Sequence, residues 1–261
     1  MPLTDIPEQY FRRQDESSDF QFYQAPRLVA HIDDAAIRAL GEFLRPRVPD
    51  GADVLDLMSA YLTHLPPDVR ARCRRVSGLG MNDAEMAANV QLTDHVVHSL
   101  NDEPALPYPD AAFDVALCTV SVQYLLHPLE VFAEVRRVLK PEGHFYAATN
   151  GEAHLRELDM LGLRVVAGGE IYNGEQHTFK LENGAEELSR QFAHVDLHLM
   201  EGNLVVTEVE PVIAFMRSTR LGAQLTEEHI PVLRDIISQE IAEHGSFFIT
   251  KSTGVFDAYG V

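Results

Sequence analysis

The chain has 261 residues, 46% hydrophobic and 23% charged, which suits one large globular domain or one domain with an elaboration. Its 40 Asp and Glu outnumber 21 Lys and Arg, so the net charge of -19 repels a phosphate backbone and nucleic acid is not an expected partner. No run approaches the roughly 20 apolar residues of a membrane span, and the first stretch of sequence carries Asp5, Glu8, Arg12, Arg13, Asp15 and Glu16 in place of an apolar signal core, so a cytoplasmic protein without a membrane partner is expected.

Residues 1–24 alternate polar and aromatic side chains, end in Phe20-Gln-Phe-Tyr23, and read as an ordered arm. From Ile32 to Leu44 the apolar positions Ile32, Ile37, Leu40 and Leu44 share one helical face, with Asp33 or Asp34 near the start. Arm and helix together, residues 1–45, form a candidate lid on a main domain over 46–261. Short apolar runs at 53–57, 74–79, 95–100, 113–119 and 143–149 alternate with helical or loop segments, which predicts a parallel sheet covered on both faces. Between the last two runs, Leu129, Phe132, Val135 and Leu139 make a helical stripe from Pro128, stopped by Pro141-Glu-Gly143. In the tail, Val195, Leu197 and Leu199 alternate with His194, Asp196 and His198 as in a half-buried strand, and 247–256 supplies another. Two helices are predicted between them, near 211–218 and 230–243, for a total of about seven strands. Cys73 and Cys118 fall in apolar strand positions without the paired spacing of a secreted scaffold, so both are expected reduced and buried.

In an open parallel sheet, ligands lie beyond the carboxyl ends of the strands. The residues there are Asp56 to Ala60, Gly80 to Asp83, Leu100 to Asp102, Thr119 to Tyr124 and Thr149 to Gly151. Two stretches in this framework, Leu106-Pro-Tyr-Pro-Asp-Ala-Ala-Phe-Asp-Val-Ala-Leu-Cys118 and Leu129-Glu-Val-Phe-Ala-Glu-Val-Arg-Arg-Val-Leu-Lys-Pro-Glu-Gly143, resemble the class I S-adenosylmethionine-dependent methyltransferase superfamily in its type-11 branch. The likeness covers roughly residues 50–150. It implies an α/β, Rossmann-like fold with a seven-stranded, mostly parallel sheet, an antiparallel last strand and helices on both faces. It also implies S-adenosyl-L-methionine as cofactor, S-adenosyl-L-homocysteine as product, and a small-molecule acceptor whose side of the cleft is built by 150–220.

The family's first turn runs acid, apolar, Gly, x, Gly, x, Gly, but here the glycine positions hold Met58, Ala60 and Leu62. Glycine tolerates positive φ and lets the backbone approach a ligand, so the cradle is expected to be altered. The family's ribose-binding acid after the second strand corresponds to Gly80. Losing one charge-assisted hydrogen bond costs about 1.5–3 kcal/mol, roughly ten- to hundredfold in affinity. Candidate substitutes for the lost cofactor contacts flank Met81, itself a candidate contact: Asp56 for the methionine ammonium, Ser59 near its carboxylate, Asn82 for the ribose, and Asn101 or Asp102 for the adenine amine. A subgroup with similar Asp-Leu-Met-Ser and Gly-Leu-Gly-Met-Asn turns also carries Phe-Tyr-x-x-Pro-Arg, matched by Phe22-Tyr-Gln-Ala-Pro-Arg27, which casts Arg27 as the partner of the cofactor carboxylate. From His144 onward the chain is similar to another branch, with Ala148-Thr-Asn-Gly151, Phe179-Lys-Leu-Glu-Asn-Gly184 and Gly245-Ser-Phe-Phe-Ile-Thr-Lys251, as in a mosaic of two subgroups.

Methyl transfer needs in-line alignment, exclusion of water and sometimes a base. His154 and Tyr124 are the candidate catalytic groups, Tyr23, Gln123, Asn150 and His177 the candidate acceptor contacts, and Thr119 a candidate cofactor contact; His127 is a further candidate base. Competing readings stand beside these. The 56–62 turn also suits a packed connection that binds nothing, making the chain a catalytically silent scaffold for a partner or small ligand. A third reading has the cofactor bound but promoting a non-methylating reaction. Arg27 equally suits an ion pair with Asp33 or Asp34, and most of the twelve histidines suit surface or core roles. His194 and His198 lack a third ligand for a metal, and Gly78-Leu-Gly80 is too isolated for a dinucleotide motif.

Overall fold

A computed structural model of the chain describes residues 19–119, 121–166, 179–200, 202–218 and 224–260. The five predicted apolar runs become β1 (Asp53–Leu57), β2 (Arg75–Gly80), β3 (Asp94–Val97), β4 (Phe113–Thr119) and β5 (Leu139–Asn150). All five are parallel, and β1 registers Val54 on Val76 of β2 and on Val115 of β4. With β6 (His194–Met200) and β9 (Thr253–Tyr259) they form one sheet of order β3-β2-β1-β4-β5-β9-β6, mostly parallel with one antiparallel strand. Buried runs such as Asp53–Leu57, buried at every position, are what a sheet covered on both faces requires.

The chain folds as two compact units. The first comprises the described residues of Met1–Asn150, Thr178–Leu199 and Gly254–Val261, and the second those of Gly151–His177 and Met200–Thr253. In the first, α5 (Pro128–Val138) buries Val131, Phe132, Val135 and Val138 against the sheet. Phe132, Phe145, Phe179 and Phe256 continue this core as an aromatic chain, with centroids 5.9 Å apart from Phe132 to Phe145 and 5.5 Å from Phe179 to Phe256. The apolar period carries the α5 stripe to Leu139 and a stop at Pro141-Glu-Gly143; instead β5 starts at Leu139, because Leu139 pairs with Phe113 before the ladder shifts register. α2 (Asp34–Leu44) is capped by Asp33, whose Oδ1 accepts from Ala36 N at 2.8 Å. Lys140 and Arg74 converge on Asp53, and Lys140 also meets Asp114 at 2.8 Å, tying the amino ends of β1 and β4 to the start of β5. Cys73 and Cys118 are free thiols in buried positions, as their apolar settings imply.

The second unit pairs β7 (Asn203–Val206) with β8 (Phe247–Thr250) antiparallel, Val206 facing Phe247 and Leu204 facing Ile249. Helices α6 (Arg156–Val165), α8 (Val209–Ser218) and α9 (His229–His244) pack Leu161, Ile213, Met216, Leu233 and Ile237 with Phe247 and Ile249. The run 247–256 is thus two strands in two different sheets, broken at Lys251-Ser252. β7 escaped the sequence pattern because four residues are too few for an alternation to stand out. β6 is less buried than its alternation suggests: Val195 packs on the core, but Leu199 at the edge is 68% exposed.

Candidate functional site

The carboxyl end of β1 sets the site. After Leu57 the chain turns through Met58 at φ 54°, the left-handed region that glycine enters most easily. A side chain there costs about 1–2 kcal/mol, so the turn must be held from outside. Ser59 N donates to Leu79 O at 2.8 Å, drawing the turn over β2, while Ser59 Oγ donates to Asp56 Oδ2 at 2.6 Å. Asn89 Nδ2 donates to Ala60 O at 2.9 Å and to Thr63 Oγ1 at 3.1 Å. Gln91 receives Thr63 N at 3.2 Å and donates to Leu65 O at 2.5 Å. The connection 58–66 is therefore an irregular loop fastened to the segment after α4 (Asp83–Ala88), and the helix of the β1–β2 crossover is the short α3 (Pro67–Arg72). His64 takes a second left-handed conformation, φ 61°, and burial beside His31 pushes its imidazole down to about 4, keeping it neutral.

This path explains the missing ribose acid. A Cβ at position 80 would collide with the Ser59 carbonyl oxygen and lie 3.1 Å from its carbon, so the turn occupies the space that any side chain at 80 would need. The course of the turn at 58–62 and the lack of a side chain at 80 therefore go together. Asp56 is 4% exposed, and burial raises its carboxyl to about 6 against the opposing hydrogen bonds from Ser59 and Thr63. Both Asp56 and Ser59 thus build the turn itself.

At the end of β2, Asn82 caps α4 by accepting from Glu85 N at 3.1 Å, and its amide donates to Tyr23 O at 2.7 Å and Gln24 O at 3.4 Å. Glu85, 5% exposed, accepts from Arg27 N at 2.6 Å. Beyond β3, Asn101 donates to Asp19 Oδ2 at 2.9 Å and to Tyr124 O at 3.1 Å, and accepts from Leu126 N at 2.8 Å. The arm containing α1 (Asp19–Phe22) is therefore laid along the ends of β2 and β3. The Arg27 guanidinium sits 4.7 Å from the Phe22 ring centroid, and among the described residues it forms no ion pair with Asp33, Asp34 or any other carboxylate.

The predicted residues fall into three groups. Tyr23, Arg27, Asn82 and Asn101 are joined by the arm, with Tyr124 O held by Asn101, and Asp56, Met58, Ser59, Ala60 and Gly80 by the turn; Met81 is half-buried. Thr119, Gln123 and Asn150 are half-buried at the ends of β4 and β5; Thr119 O accepts from Ser121 Oγ at 3.0 Å and Asn150 O from Leu181 N at 3.3 Å. Tyr124 is 55% exposed. His127 is an exposed residue before α5, His154 belongs to the second unit, and His177 lies outside the described residues. Sequence reasoning missed Asp19, Thr63, Glu85, Asn89 and Gln91. Only Glu85 carried a signal, because Asn82-Asp-Ala-Glu85 has the spacing of a capping box.

The donor set fits S-adenosylmethionine chemically. Arg27 carries a guanidinium fork suited to a carboxylate, and Asn82 and Asn101 carry the amide chemistry of a nucleoside contact, although each amide is here engaged by the protein itself. No carboxylate replaces the ribose acid at position 80.

Residues 59–147 match the family described as methyltransferase domain. Among curated proteins, the chain is similar to the biotin biosynthesis bifunctional protein BioHC of Teredinibacter turnerae, 41% identical over 59 residues that make up 23% of this chain and 10% of that protein. It is also similar to demethylmenaquinone methyltransferase of Chlamydia trachomatis, 32% identical over 100 residues that make up 36% of this chain and 44% of that protein. The chain thus spans less than half the length of these relatives. Among solved structures, the YcgJ protein of Bacillus subtilis superposes with a TM-score of 0.55 at 14% identity, over 86% of this chain and 99% of that one. A SAM-dependent methyltransferase of Archaeoglobus fulgidus gives 0.51 at 14%, over 85% and 94%. The (4+2)-cyclase SpnF gives 0.51 at 16%, over 90% and 85%. At these identities the structures speak to a common fold. Among the described residues no helix is long and apolar enough to cross a membrane, and no cluster of His, Cys, Asp and Glu could hold a metal.

Proposed function

We propose that this chain, which belongs to the class I S-adenosylmethionine-dependent methyltransferase superfamily in its type-11 branch, binds S-adenosyl-L-methionine in a rebuilt cradle and transfers its methyl group to a small-molecule oxygen, nitrogen or carbon. The observation that supports this reading is the left-handed Met58: the turn beyond β1 takes a conformation that glycine enters most easily, at a cost in strain, and is fixed by Asp56, Asn89 and Gln91.

The cofactor would supply a methyl group on a sulfonium, already activated toward nucleophiles. The protein's part is then binding, alignment and exclusion of water. Arg27 holds the α-carboxylate through its planar fork. Asn82 and Asn101 orient the nucleoside from neutral amides, which replaces the acid that position 80 has no room for. Thr119, Gln123 and Asn150, at the ends of β4 and β5, line the neighbouring part of the edge and suit a polar acceptor. Tyr124, exposed beside them, is the candidate to accept or relay its proton. A cytoplasmic setting fits this chemistry.

Calorimetric titration with S-adenosylmethionine and S-adenosylhomocysteine tests the reading. Saturable binding is expected, weakened about tenfold in Arg27→Ala, the scale of one charge-assisted contact. Equal affinity in that variant removes Arg27 from the site, and single-turnover assays then separate methyl transfer from cofactor-assisted chemistry. The second reading, a silent scaffold, draws on the engagement of Asn82 and Asn101 by the protein's own arm. It predicts no saturable signal from either nucleoside, even when the arm is released.

A further inference from the structure

The amides at the ends of β2 and β3 are fully engaged, and much of their bonding goes to the chain's own N-terminal segment. An Asn side chain offers two N–H donors and one carbonyl. Asn82 gives its donors to the Tyr23 and Gln24 carbonyls and its oxygen to the cap of α4. Asn101 gives one hydrogen to the Asp19 carboxylate and another to Tyr124 O, and its oxygen to Leu126 N. Glu85 adds a third fastening at Arg27 N. Neither amide can read an adenine edge or a ribose hydroxyl until the segment lets go.

Large apolar side chains of the same segment face outward. Phe20 is 51% exposed, Phe22 42%, and Leu28 and Val29, just beyond it, 54% and 53%. Each buried square ångström of such surface is worth about 25 cal/mol, so a segment docked for good would be expected to turn these side chains inward. Polar anchorage combined with exposed aromatics is the pattern of a segment with a second docked state available to it.

We infer that Asp19–Arg27 is a strap that competes with the adenosine end of the cofactor for the amides of Asn82 and Asn101, so that nucleoside entry displaces the strap. This rests on the reading of the site as an S-adenosyl pocket. Displacement frees Arg27 from Glu85 and lets its guanidinium, with Phe22 beneath it, reach the incoming ligand. The apparent affinity of the intact chain is then the intrinsic affinity reduced by the fraction of molecules with the strap released.

Hydrogen exchange at the Tyr23 and Arg27 amides, with calorimetry of S-adenosylhomocysteine binding, tests this in the full chain, in Asp19→Ala and in Glu85→Ala. Asp19→Ala removes the strap side of the contact with Asn101 and lies outside the strands, so the variant keeps the sheet even if Glu85→Ala loosens α4. The ligand is expected to speed exchange at both amides in the wild type, and both variants are expected to bind about tenfold tighter, the scale of the hydrogen bond removed. Slower exchange on binding, with weaker affinity in the variants, makes the segment a lid that clasps the nucleoside and overturns the competition. Equal affinity in all three chains with unchanged exchange overturns it too. If no form binds either nucleoside although exchange shows the strap released in Asp19→Ala, the cofactor reading itself has failed and the competition falls with it.

Discussion

Two stretches of the same sheet were reached by opposite routes. In residues 106–147, Phe113, Val115, Ala116 and Leu117 are buried because they are apolar, and the loop before them is locked by a single side chain. Arg137 donates to Leu106 O, Tyr108 O, Asp110 and Glu134, and Glu134 in turn accepts from Leu106 N at 2.8 Å. In residues 58–66, no apolar period sets the path. Two left-handed residues, Met58 and His64, lie in a loop whose Ala60, Thr63 and Leu65 are held by amides 26 to 29 positions away in sequence. Burial acts on each residue's own character, whereas the turn depends on which distant amide meets which carbonyl. The first kind of order can be read locally and the second cannot.

The largest test of that contrast is Gly80→Asp, which restores the family's acid. If the turn and position 80 form one unit, the new side chain meets the Ser59 carbonyl and has nowhere to go. A loss of about 3 kcal/mol or more is expected in urea unfolding, with no gain in S-adenosylmethionine affinity. A stable variant that binds more tightly would mean the turn withdraws freely, and the two substitutions would be independent after all.

Arg137→Ala probes the other stretch. Removing a guanidinium that satisfies two backbone carbonyls and two carboxylates should cost roughly 2–3 kcal/mol, with S-adenosylhomocysteine affinity unchanged within about twofold because no site residue is involved. A large drop in affinity at modest loss of stability would join the two regions that the contrast separates.

Asp56→Asn sharpens the comparison through pH. Burial lifts the Asp56 carboxyl from the ordinary 3.8 to about 6, so the native state keeps its proton where the unfolded chain has lost it. The wild type therefore carries no penalty from this group below about pH 4, accumulates one as pH rises, and bears it in full above about pH 6, up to about 3 kcal/mol. The asparagine variant should gain stability relative to wild type between pH 4 and pH 8. A pH-independent difference would show that Asp56 ionises as readily folded as unfolded.

The sequence displayed the sheet, α2, α5 and the reduced cysteines because solvent exclusion writes itself into every turn of a helix and every other strand position. It also singled out Met58 and Gly80, which the structure brings into one turn region through Ser59. It could not show that the two positions meet, since Ser59 and Gly80 come together only after β1 and β2 pair. Nor did the arm's aromatics announce that the contacts would run through the carbonyls of Tyr23 and Gln24, which every residue possesses. The division of 247–256 between two sheets was hidden for a related reason: β8 and β9 are both apolar runs, and only their partners distinguish them.

The smallest expected effect is the most direct measure of strain in the turn. Met58 packs partly on the core, so replacing it with glycine alone would mix lost packing with relieved strain. Comparing Met58→Gly with Met58→Ala removes most of that ambiguity, because both lose the thioether and differ by one methyl. At φ 54° alanine keeps the left-handed penalty and glycine does not. Glycine's looser unfolded state offsets part of this relief, by about 0.4–1 kcal/mol. The glycine variant should therefore be the more stable of the two by roughly 0.5–1 kcal/mol. The reverse order in paired unfolding curves would mean that residue 58 leaves the left-handed region once its side chain is gone, and that the thioether, more than Asn89 and Gln91, sets the path of the turn.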